Sequence, residues 1–133
     1  MSGERATYLD SSALVKLARA EAESAALRTY LRRRRPWISS ALALTEVHRA
    51  LLPAGPAAVA SGQAVLRRVD LVRIGAPILR AAGSLAPAGL RSLEAIHLAT
   101  ALGLGESLAR FVVYDQRLGE AARAAGLTVV GPA

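Results

Sequence analysis

The sequence predicts an α/β domain in three layers, a central parallel sheet with helices on both faces. Three observations carry that expectation. Short runs that suit strands alternate with longer helical stretches, and this alternation is what builds parallel sheets. Two of the runs, residues 6–9 and 110–114, lead straight into an aspartate and then a helix. Finally, 53% of the 133 residues are hydrophobic and the mean hydropathy is +0.32. A chain of this size buries roughly two-thirds of its unfolded surface, enough for one real core.

The elements follow in order. Ala6-Thr7-Tyr8-Leu9 reads as a buried strand. A helix over about 12–20 comes next, with Ser11 or Ser12 placed to accept its first free N–H groups. Residues 21–35 read as a second helix with Ala22, Ala25, Ala26, Tyr30 and Leu31 toward the core, stopped by Pro36. Residues 37–39 make a short strand. Ser40 is expected to cap a helix running to about residue 52, with Leu44, Val47 and Leu51 as its apolar stripe. Pro53-Ala54-Gly55-Pro56 breaks the chain before an Ala-rich helix to residue 68. Residues 69–74 alternate like a strand, and a helix over 77–85 ends at the Pro87/Gly89 turn. Ser92 is placed to cap a helix over 93–104. Residues 110–114 are the most strand-like run, 116–125 a helix closed by Gly126, and 127–130 the last strand. No repeat, low-complexity segment or linker interrupts this series, so residues 1–133 read as a single domain.

Composition narrows the function. No cysteine is present, which excludes disulfides and thiolate metal sites. The first residues lack the apolar stretch of a signal peptide and no later run is long enough to span a bilayer, so a cytoplasmic protein is expected. Seventeen basic residues, all arginine but Lys16, oppose ten acids, giving a net charge of +7. Guanidinium groups pair with phosphate in bidentate geometry, although an Ala/Arg/Leu-rich composition also arises from a GC-rich genome.

The acids are the informative residues. Asp10 and Asp115 each end a strand and start a helix, where the dipole presents its positive end and where open α/β sheets bind ligands. Glu46 borders an apolar helical stripe, and Glu94 lies in the first turn of its helix. Each has an ordinary explanation: Asp is a common turn residue, Glu46 could pair with Arg49, and a helix N-terminus favours Glu94. Together they point further. Two carboxylates about 5 Å apart repel by roughly 3 kcal/mol at an effective dielectric near 20, and a hard divalent cation offsets that repulsion. Glu4, Glu21, Glu23, Asp70, Glu106 and Glu120 read as surface residues.

Four motifs now fall into a known order. Tyr8-Leu9-Asp10-Ser11-Ser12-Ala13-Leu14-Val15-Lys16-Leu17, then Thr45-Glu46, then Leu90-Arg91-Ser92-Leu93-Glu94-Ala95-Ile96-His97-Leu98-Ala99-Thr100-Ala101, and last Val113-Tyr114-Asp115-Gln116-Arg117-Leu118 resemble the successive motifs of PIN-domain ribonucleases. The VapC-type toxins of toxin–antitoxin pairs are the nearest match, over nearly the whole chain. The resemblance implies strands one and four adjacent at the centre of a parallel sheet. It also implies a Mg²⁺- or Mn²⁺-dependent endoribonuclease in which Asp10, Glu46, Glu94 and Asp115 hold the cation that activates a water, with Ser12 orienting that water. An RNA substrate, a homodimer and a cognate VapB-type antitoxin are implied as partners. Two residues depart from the family pattern: Glu94 stands where Asp is usual, and Val113 where a hydroxyl residue is common. A PIN module that binds RNA or a partner without cutting is the alternative reading.

Other constellations carry less. Glu94 and His97 make one Glu-x-x-His, where a di-iron bundle needs two. His97 is expected to be packed inside its helix and His48 exposed. No Ser/His/Asp set, glycine-rich phosphate loop or DxD pair is present. Arg32, Arg33, Arg34 and Arg35 admit two readings, a solvated helix end or a strip that holds RNA backbone near the acids. Setting the four site acids aside leaves seventeen basic residues against six acids, about +11, a surface that draws phosphate toward an acidic pocket.

Overall fold

The computed structural model describes residues 5–133, so Glu4 lies outside the described residues. Five parallel strands form one sheet: β1 (Ala6–Leu9), β2 (Trp37–Ser40), β3 (Asp70–Val72), β4 (Leu108–Val112) and β5 (Val129–Val130), in the order β3-β2-β1-β4-β5. The helices are α1 (Ser11–Ala18), α2 (Ser24–Leu31), α3 (Ala43–Leu51), α4 (Pro56–Leu66), α5 (Ala76–Gly83), α6 (Ser92–Gly103) and α7 (Gln116–Ala124). β1 is central, paired with β2 (Thr7 opposite Trp37) and with β4 (Leu9 opposite Val112). The chain leaves β1 toward β2 on one side and reaches β4 on the other. That reversal opens a crevice at the carboxyl ends of β1 and β4.

The pleat of β1 explains the two core layers. Successive side chains point to opposite faces, and all four residues of β1 are buried. Leu9 packs with Leu14, Leu17, Leu27, Val47 and Val65 under α1–α4. Tyr8 faces the other way, stacked on Phe111 at 5.2 Å between ring centroids, among Leu98, Leu118 and Ala122 of α6 and α7. A strand covered on both faces reads as largely apolar, and in this one Thr7 is the buried exception. Helices α3 and α4 approach closely at Gly62, where a Cβ would lie 2.5 Å from Leu51 Cδ1.

Several element boundaries differ from those the sequence predicts. The second helix is shorter, Ser24–Leu31, and buries Ser24, Leu27 and Leu31, with Ala22 and Ala25 exposed. The Ser24 hydroxyl accepts from Glu21 N–H and donates to the Arg19 carbonyl, so the loop closes on it and delays the helix. In α3 the buried stripe is Ala43, Val47 and Leu51; Leu44 is 54% exposed. Ser40 caps no helix, but its hydroxyl accepts from Leu42 N–H in the preceding turn. Asp10, rather than either serine, caps α1, and Arg91 precedes α6 with Ser92 as its first residue.

Candidate active site

Asp10 follows the last residue of β1 in extended conformation, and its carboxylate accepts from Ala13 N–H at 3.0 Å. Ser12 Oγ donates to both of its oxygens at 2.9 Å. This is helix capping, and it fixes the carboxylate at the crevice. Asp115 repeats the arrangement after β4, capping α7 through Leu118 N–H at 2.8 Å. Two helices thus aim their positive ends at the same crevice, each with an aspartate at its mouth.

The two glutamates come from helices that flank these caps. Glu46 Oε1, on α3, accepts from Ser11 Oγ at 2.6 Å and lies 2.7 Å from His97 Nε2 on α6. Glu94, one turn before His97 on α6, folds back to accept from Arg91 N–H at 3.1 Å. Asp10, Glu46, Glu94 and Asp115 all line one cavity of about 210 Å³, together with Ser11, Ser12, Leu93, His97 and Leu118. A larger hollow of about 620 Å³ lies between α5 and α6, but no titratable side chain lines it. The titratable side chains line the smaller cavity.

His97 is buried, as its helical setting predicts, yet it is no passive core residue. Its Nδ1 lies 2.6 Å from the Tyr8 hydroxyl, which is fully buried in the core. Burial holds the Tyr8 phenol far above its ordinary range, so the hydroxyl keeps its proton. A carboxylate can only accept, so donor counting assigns Nε2–H to Glu46 and leaves Nδ1 to accept from Tyr8. A polar chain therefore runs from the apolar core through Tyr8 and His97 to Glu46, and Ser11 completes the hold on that carboxylate.

The neighbouring acids are driven in opposite directions. Burial is the largest influence on Asp10 and raises its pKa; the Ala13 amide and Ser12 offset part of it. Burial also pushes Glu46 upward, but the hydrogen bonds from His97 and Ser11 outweigh it and the net shift is downward. Acids set apart in this way mark reaction centres more often than ordinary surface.

Each of the four carboxylates has a local partner, and among the described residues no three His, Asp or Glu side chains stand where they would share one ion. The donor set nonetheless fits a hard divalent cation, because every available ligand atom is a carboxylate or hydroxyl oxygen. Glu94 needs only to give up its Arg91 bond, worth about 0.5–1.5 kcal/mol, to turn inward. Sequence reasoning assigned Ser12 to water; in the structure it holds Asp10. Ser11, expected only as a possible helix cap, and His97, expected only as a packed residue, both hold Glu46, and His97 sits three residues after Glu94 on the same helical face.

The arginine run does not join this cavity. Arg32 and Arg35 lie near Trp37, at the amino end of β2, the edge of the sheet opposite the acids. Arg34 stacks on Tyr30 at 3.9 Å and donates to its carbonyl, and Arg33 is exposed.

Residues 7–124 match the family model of the PIN domain. Ribonuclease VapC46 of Mycobacterium tuberculosis is 53% identical over 127 residues, which cover 96% of this chain and 98% of that protein. Ribonuclease VapC35 of the same species is 46% identical over 129 residues, covering 94% and 96%. Among solved structures, M. tuberculosis VapC20, a toxin that cleaves the sarcin-ricin loop, superposes with a TM-score of 0.72 at 21% identity, covering 95% of this chain and 99% of its own. At that identity the likeness speaks for the fold.

Proposed function

Because the chain belongs to the PIN-domain family and is a ribonuclease toxin of VapC type, we propose that it cuts RNA in the cavity lined by Asp10, Glu46, Glu94 and Asp115, with Mg²⁺ or Mn²⁺ held among them. One observation carries this reading. Four acids from separate parts of the sequence line a single cavity at the carboxyl ends of β1 and β4. When bound, such a cation offsets the charge of the phosphate and polarises its ester bond.

The protein's own groups do the positioning. Ala13 N–H and Ser12 fix Asp10 in one orientation; Ser11 and His97 do the same for Glu46, with Tyr8 behind His97. Asp115 is held by Leu118 N–H, and Glu94, folded back onto Arg91 N–H, completes the lining. The N-termini of α1 and α7 favour negative charge in the space between them. The reaction is hydrolysis, in which a water oxygen bonds to phosphorus as one ester oxygen departs with a proton.

VapC-type toxins act on RNA and are paired with an antitoxin. For this chain the proposal extends to a VapB-type antitoxin, a homodimer, a cytoplasmic location and a single domain over residues 1–133. No described helix is long and apolar enough to cross a membrane. The test is cleavage of total cellular RNA by the protein, freed from its co-expressed genomic neighbour, with cut ends mapped in Mg²⁺ and in EDTA. Cleavage that needs the cation and is lost in Asp10→Asn is expected. Intact RNA in every condition, with binding retained, would leave a PIN module that binds without cutting.

A further inference from the structure

A second concentration of charge lies away from the acids. Arg28, Arg32, Arg35 and Arg68 line a concavity of about 250 Å³ with Leu17 and Trp37. They come from α2 and its exit, the entry to β2 and the turn between α4 and β3. Trp37 pairs with Thr7 at the amino end of the sheet, whereas Asp10 leaves the carboxyl end of β1 three residues later, about 10 Å of strand.

Three features mark this concavity as an oxyanion site. Among the described residues no arginine reaches a carboxylate within 4 Å; the ion pairs are those of Lys16 with Glu21 and Glu23, and of His97 with Glu46. Four guanidinium groups therefore share one hollow with no protein counter-charge. The guanidinium carbons of Arg35 and Arg68 lie over the Trp37 ring, 4.0 and 5.7 Å from its centroid. No hydrogen bond from the side chains of Arg32, Arg35 or Arg68 occurs among the described residues, so their donor edges are free for a bidentate partner. Trp37 is only 5% exposed, and its Nε1–H is buried without an acceptor, an uncommon state for a buried donor.

We propose that this concavity is a second phosphate-binding site, which takes backbone phosphates of RNA at a point remote from the bond that is cut. The identity of the ligand rests on the ribonuclease reading: the substrate is a polyanion, and four guanidinium groups line this concavity. Trp37 is too deeply covered to stack a base. The site therefore grips backbone alone, without sequence preference.

The test uses the whole protein in EDTA and two 24-nucleotide single-stranded RNAs of unrelated sequence. Arg35→Gln with Arg68→Gln is expected to weaken both RNAs about tenfold at 0.1 M salt. The slope of log K against log[salt] should fall by about 1.4, since each lost single-strand phosphate contact removes about 0.7. Arg35→Lys with Arg68→Lys should restore the slope, because charge sets it, while the rise of Tm with Mg²⁺ stays unchanged in both variants. An unchanged slope in the Gln variant would overturn the site. So would a loss that Lys does not recover, which would mean a packing role. Reduced affinity for the antitoxin with RNA affinity intact would also overturn it, since the concavity would then serve a protein partner. Cleavage in Mg²⁺ tests the catalytic reading separately. Wild type that binds through these arginines but never cuts keeps this site and loses the other; wild type that cuts with binding indifferent to them does the reverse.

Discussion

Glu46 is the residue on which the polar contacts of the cavity converge. It is half-buried, and its orientation depends on His97, whose own partner, Tyr8, is locked in the core. His97→Ala removes the hydrogen bond that the Tyr8 hydroxyl makes to the ring, which costs about 0.5–1.5 kcal/mol before the lost packing is counted. We expect a lower Tm and slower cleavage, with the His97→Ala/Glu46→Gln double variant no slower than Glu46→Gln alone, because His97 acts through Glu46. Additive rate losses in the double variant would refute the coupling. Asp10→Asn behaves differently. Asn still caps a helix, and the change removes a charge that burial disfavours. The variant should be as stable as wild type or more so, yet inactive. The sign follows from linkage: a carboxyl whose folded pKa is raised binds more protons folded than unfolded, so its charged form lowers stability as pH rises. The advantage of Asp10→Asn should therefore be absent below the ordinary value of 3.8 and grow as pH rises through the raised value. Thermal melts across pH in EDTA check it; a Tm well below wild type at pH 7 would make Asp10 structural.

At the scale of elements, three helix starts build the site, and each serves two purposes. The caps of α1 and α7 are also the aspartates of the cavity, and the first turn of α6 supplies Glu94. Glu at the third helical position can reach back to the N-cap amide, and this one does. Family members usually carry the shorter Asp there. Glu94→Asp is expected to release that bond at a cost of about 0.5–1.5 kcal/mol, and to free the carboxylate for the cavity. The metal-free protein should then melt lower, while the rise in Tm on adding Mn²⁺ should grow. A smaller rise would show that the longer arm is the better ligand in this chain.

For the whole molecule, the sheet order places two sites of opposite charge at its two ends: acids where β1 and β4 finish, arginines where β2 and β3 begin. Binding of a cation to the folded state alone adds RT ln(1 + [L]/Kd), about 2.7 kcal/mol at a hundredfold excess over Kd. Mg²⁺ or Mn²⁺ should therefore raise the Tm of the free protein, and the rise should shrink in Asp10→Asn and in Asp115→Asn. Calorimetry at millimolar cation decides it, and an unmoved wild-type Tm would show that the carboxylates do not assemble into a cation site.

The sequence by itself determined the α/β class, the order of its strands and helices along the chain, and the strand-aspartate-helix junctions after β1 and β4. These depend on neighbours within a few residues: alternation, helical spacing, turn chemistry. It also singled out Asp10, Glu46, Glu94 and Asp115, because a carboxylate beside an apolar stripe is locally conspicuous. Only the tertiary structure decided what those residues touch. Ser11 meets Glu46 across 35 residues, and Tyr8 meets His97 across 89. No local pattern encodes such pairings, since they depend on which helix lands on which face of the sheet. The same reason governs Leu44, apolar by spacing yet exposed, and the arginine run, continuous in the chain yet divided in space. A side chain's residue type fixes the chemistry it can offer; the packing of α1, α3 and α6 around β1 fixes the group that receives it.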